Sequence, residues 1–109
     1  LKGNGDIGVY EIADIMPSFP GGFTKMTRFV EKEFSLSQKD KQNNINGTFY
    51  VSMVVNKLGQ LKDVKILKSL SRDCDVRAKE MIEKMPNWNP GKIDGKVVRV
   101  KYTIPIKVK

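Results

Sequence analysis

The stretch from Met85 to Ile106, MPNWNPGKIDGKVVRVKYTIPI, constrains the fold more than any other part of the chain. Val98, Val100, Tyr102, Ile104 and Ile106 fall on one side of a period-two ribbon, and Val97, Arg99, Lys101, Thr103 and Lys107 fall on the other. Such alternation predicts a strand with one buried and one wet face. Pro105 has no N–H to give a ladder and is tolerated only where that side of the strand meets no neighbour, so the strand is expected at a sheet edge. Bonding direction alternates with residue parity in an antiparallel pair. Arg99, Lys101 and Thr103 should therefore turn their backbone N–H and C=O groups to the same open side as Pro105. Two readings of that row stand side by side: a charged edge protected against unwanted pairing, or a rail on which a peptide strand docks.

The rest of the chain supplies a platform for this strand. Met16-Pro17-Ser18-Phe19-Pro20-Gly21-Gly22 is a bend, and Val9 to Ile15 before it is weakly alternating, a candidate short strand. Phe23, Met26, Val30 and Phe34 follow at helical spacing with Phe29 beside them, and Lys25, Arg28, Glu31 and Lys32 lie outside the stripe. Gly21-Gly22-Phe23-Thr24-Lys25-Met26 lacks the Gly-Lys-Ser/Thr order of a phosphate-binding loop. Ser37 and Asp40 form a weak capping box for a short helix.

A second strand alternates Phe49, Val51, Met53 and Val55 with Thr48, Tyr50 and Ser52. Asn56-Lys57-Leu58-Gly59 turns it into a hairpin partner starting at Leu61, in which the slip of parity at Lys62-Asp63 reads as a bulge. Asp73 or Asp75 is expected to cap a helix whose apolar face is Cys74, Ala78, Met81, Ile82 and Met85. Pro86 stops that helix, and Trp88 should cover an open end of the core. The order predicts an α+β, two-layer fold: a three-stranded antiparallel sheet with two main helices on one face, and Arg99, Lys101, Tyr50 and Ser52 on the wet face.

The 109 residues make one domain, read as a linker end at 1–8 and a folded unit at 9–109. No run of about 18 apolar residues is present, and the chain opens on Leu1 rather than Met, as a fragment of a longer protein would. The absence of histidine removes Ser-His-Asp, Cys-His and most zinc arrangements. Cys74 is alone, so there is no internal disulfide, and no catalytic, cofactor or metal residues are assigned. A net charge of +8 raises nucleic acid or an anionic polymer as partner. The lysines, however, are spread along the chain without the aromatic interleaving of a nucleic-acid groove, which argues against nucleic acid.

With these elements placed, the sequence resembles the C-terminal domain of TonB-type energy transducers, of the sort common in Bacteroides-like bacteria. The resemblance is carried by Phe19-Pro20-Gly21-Gly22, and by Ile45-Asn46-Gly47-Thr48 leading through Phe49 to Val55. Gly59 with Leu61, Asp63-Val64 and Ile66 follows, then Met85-Pro86-Asn87-Trp88-Asn89-Pro90-Gly91, and Gly95 through Val98 and Tyr102 to Ile106.

The resemblance implies a periplasmic domain whose parent is anchored in the inner membrane and works with an ExbB/ExbD-type complex driven by proton flow. Its partner would be the TonB box of an outer-membrane transporter, added as a strand beside Val97, Val98, Arg99, Val100, Lys101, Tyr102, Thr103 and Ile104. Many members carry Tyr-Pro where this chain has Leu36-Ser37, so those two residues are a candidate secondary contact. The same module also ends membrane sensors and metallopeptidase-like proteins and occurs in stand-alone periplasmic proteins, and a basic adaptor binding peptidoglycan is a further reading. An open edge strand pairs with its own copy as readily as with a ligand, so a homodimer is also expected to be accessible.

Overall fold

The computed structural model describes residues 8–108, so the linker end expected at the start of the chain lies almost wholly outside the described residues. The elements run α1 (Phe23–Glu33), α2 (Gln38–Gln42), β1 (Gly47–Val55), β2 (Leu61–Leu67), α3 (Arg72–Glu83), β3 (Gly91–Ile93), β4 (Lys96–Val98) and β5 (Val100–Val108). A three-stranded antiparallel sheet has the order β2-β1-β5, and β3 and β4 form a separate hairpin. This is the α+β architecture that the alternating segments predict.

β1 takes the centre because both of its edges are used. Its inward residues Phe49, Val51, Met53 and Val55 are fully buried, and they meet Ile104 and Ile106 of β5 and Cys74, Ala78, Met81 and Ile82 of α3 in one core. Side chains with period two on a strand and near 3.6 on a helix bury two apolar faces against each other. β2 carries the expected bulge. The register shifts between Ser52 and Val54, and Asp63 adopts the left-handed conformation with φ 51°. This restores Leu61, Val64 and Ile66 to the core side, where they are partly buried.

The turn from β1 to β2 is held by Asn56, whose Oδ1 accepts from the N–H groups of Leu58 and Gln60. Gly59, at φ 84°, lies so close to the backbone of Trp88 that a Cβ there would fall 2.0 Å from the Trp88 carbonyl oxygen. Trp88 N–H donates back to the Gly59 carbonyl. Trp88 is buried and closes the end of the core, with edge-on contacts to Phe19 and Tyr102 at ring-centroid distances of 5.9 and 5.1 Å.

Five expectations need correction. The single ribbon expected from Val97 to Lys107 is divided at Arg99: Val97 and Val98 belong to β4 and pair with Lys92 and Gly91 of β3. Asp94-Gly95, both at positive φ, make the tight turn that creates this extra hairpin. Val9 to Ile15 is not a strand but a strap touching the fold at isolated bridges, Tyr10 to Val100 and Ile15 to Lys92.

The cap of α3 is Ser71, whose side chain accepts from Cys74 N–H, rather than Asp73 or Asp75. Phe23 begins α1 but points out of its buried stripe and is 69% exposed. Ser52, expected on the wet face, is buried, because the short side chain sits at mid-sheet between Lys65 of β2 and Thr103 of β5.

Candidate peptide-docking edge

β5 pairs with β1 along its whole length and, among the described residues, has no strand of the sheet on its other side. Lys101 N–H donates to the Tyr10 carbonyl at 2.8 Å, and Tyr10 N–H donates to the Arg99 carbonyl at 2.9 Å. These two bonds fix the parity: the odd-numbered residues of β5 turn their backbone groups away from β1, as Pro105 requires. They also show that the Arg99–Lys101 end of the edge is already engaged by the strap. Past it, the outward groups of Thr103 and Lys107 make no backbone bond outside the sheet ladder among the described residues.

The residues singled out in the sequence separate into four places. Val100, Lys101, Tyr102, Thr103 and Ile104 lie on β5; Val100 and Ile104 are buried inward, Lys101 and Thr103 are exposed, and Tyr102 leans on Trp88. Arg99 joins β4 to β5, while Val97 and Val98 are drawn into the neighbouring hairpin. Leu36 packs partly buried on the core. Ser37 lies away from the edge, in a network joining α2 to α3.

That network exchanges partners between two helix caps. Ser37 Oγ accepts from Asp40 N–H and donates to Asp73 Oδ2 at 2.8 Å, while Ser71 Oγ accepts from Cys74 N–H and donates to Asp40 Oδ2 at 2.6 Å. Each serine caps its own helix and serves a carboxylate in the first turn of the other, which allows Asp40 to be buried. Cys74 sits behind this network, fully buried. Burial, with the Asp40 and Asp75 carboxylates adding to it, pushes its thiol up to about 11, which suits a core side chain and not a nucleophile. No cluster of three or more candidate metal ligands occurs among the described residues.

Two features of the edge were not singled out in the sequence. One is the strap at Tyr10. The other is a groove of about 260 Å³ between α1 and β5, walled by Phe23, Met26 and Val30 on one side and Ile104 and Ile106 on the other. Phe23, an apolar residue in the first turn of α1, lines this groove instead of joining the core.

A family model described as the Gram-negative bacterial TonB protein C-terminal matches residues 32–108. The chain belongs to this TonB C-terminal family. No curated protein and no solved structure matches it. The matched stretch contains the whole sheet, α3 and the Trp88 segment, so the TonB-type fold and β5 fall inside it. Phe19-Pro20-Gly21-Gly22 and nearly all of α1 precede it.

The upstream part is nonetheless bound to the TonB-type core. Ser18 and Asn89 exchange backbone bonds in both directions, Asn89 Nδ2 donates to Ser18 Oγ, and Phe19 is buried against Phe29 and Trp88.

Proposed function

We propose that this chain is the periplasmic C-terminal domain of a TonB-like energy transducer, and that it binds the TonB box of outer-membrane transporters by strand addition to β5. It is a binding module without catalysis. Its parent is anchored in the inner membrane and couples proton flow, through an ExbB/ExbD-type complex, to nutrient uptake. The observation that carries the reading is the edge of β5: a long outer strand of a TonB-type sheet, with outward backbone groups at Thr103 and Lys107 and a proline between them. An extended segment laid along it gains main-chain bonds first and side-chain contacts second, which suits recognition of related boxes that differ in sequence. The Bacteroides-like subgroup is part of the same proposal and is supported by the Phe19–Gly22 turn seated on Trp88.

Calorimetric titration with synthetic TonB-box peptides at low and high salt tests this reading. The expected result is saturable binding with modest salt dependence. Peptidoglycan binding that collapses with salt, with no response to any box peptide, would favour the anionic-polymer reading, because charge neutralisation is the screened interaction.

A further inference from the structure

Resting on the strand-addition reading, we infer that the groove between α1 and β5 is a side-chain pocket for the incoming strand, and that it selects an extended segment alternating apolar and acidic residues. The seat is the Lys101–Lys107 half of β5, because the Arg99 C=O and Lys101 N–H are taken by Tyr10.

Three observations converge. First, a strand added along this half alternates its side chains between the two faces of the sheet. Those on the helix side fall level with Ile104 and Ile106, directly against Phe23, Met26 and Val30. Second, Phe23 is 69% exposed on the rim of a groove in which Met26, Ile104 and Ile106 are buried and Val30 is half-buried. An aromatic residue left in water beside unused ladder groups is what an apolar anchor of the partner would cover. Third, the opposite face of the same half of β5 presents the exposed side chains of Lys101 and Lys107 around Thr103 and Pro105, in a chain of net charge +8. Opposite charges facing each other across strands are favourable, so residues of the partner on that face are acidic.

The same charges argue against a second copy as occupant. Two β5 strands paired antiparallel over the whole open half would set Lys101 of each against Lys107 of the other, twice over, and like charges placed opposite are destabilising. All the α1 residues of the groove lie upstream of the family match, which begins at residue 32. The α1 wall of the pocket therefore lies outside the stretch that the family model matches.

The test is a double-mutant cycle by calorimetry, using short designed peptides with valine or alanine at the anchor position between glutamates, alongside TonB-box peptides. Phe23→Ser, at an exposed site, preserves the fold. It should weaken the valine peptide about tenfold, and the alanine peptide hardly at all. Thr103→Pro, which removes an outward donor, should weaken both. If box peptides bind but Phe23→Ser has no effect and Tyr10 is released from the edge, the groove is not the pocket and the inference falls while the transducer reading stands. If the designed peptides show the cycle and no box peptide binds, the inference stands and the transducer reading falls. Absence of binding by both peptide sets overturns both, as preferential self-association of the domain through β5 would overturn the choice of occupant.

Discussion

At the scale of single residues, the positions that matter most are those where one atom has no room to grow. Gly59 combines a positive φ with the carbonyl of Trp88 standing where a Cβ would be, and that carbonyl is backbone, so it cannot swing aside. Gly59→Ala should therefore cost at least about 2 kcal/mol, from the strained φ and the displaced Trp88 loop together, measured by urea unfolding. Cys74 gives a second prediction. Its thiol, pushed up to about 11, holds its proton in the folded state after the unfolded chain, with an ordinary thiol near 9, has lost it. Its contribution to stability is thus complete below about pH 9 and is lost as pH rises towards 11. Unfolding free energy measured across that window should fall less steeply in Cys74→Ala than in the parent chain. Thiol reagents should modify Cys74 no faster than the protein unfolds.

At the scale of elements, the exchanged caps of α2 and α3 form one unit. Removing either Ser37 or Ser71 orphans a helix N–H and takes a donor from the other helix's carboxylate. Ser37→Ala and Ser71→Ala should each cost about 1 kcal/mol. The double variant should cost less than their sum by at least about 0.5 kcal/mol, read from denaturant midpoints. On β5, Lys101→Pro deletes the donor to Tyr10, and the protection of the Tyr10 amide from hydrogen exchange should fall severalfold as the strap detaches.

The elements also show what the sequence could and could not reveal. β1, β2 with its bulge, the face of α3 and the edge position of β5 were legible because each buries one face and alternation records it. Pro105 reported the direction of the edge for the same reason: a missing donor has only one place to point. The β3–β4 hairpin was missed because its three-residue strands are too short to alternate, although Asp94-Gly95 marked its turn. Ser71 escaped notice as a cap because Asp73 and Asp75 lie in the same first turn and compete for the role. The strap and the groove depend on segments that meet only in the fold. Tyr10 carries no sign of Arg99, nor Phe23 of Ile104.

At the scale of the whole molecule, the TonB-type core and its upstream extension divide the edge between them. The strap from Tyr10 to Phe19 runs from β5 past β3 to Trp88 and closes one half, and α1 walls the other with apolar side chains. A strand added there would thus meet a defined register rather than an unlimited rail. The charge of +8 should raise the rate of encounter with an acidic segment more than it holds the complex together. NMR titration of the labelled domain with TonB-box peptides reads strand addition at β5 residue by residue. On strand addition, amide shifts should concentrate at Lys101, Thr103 and Lys107, together with Phe23, while β2 on the far side of the sheet stays silent. Saturating peptide that perturbs β2 or the α2–α3 caps and leaves β5 unmoved would contradict it.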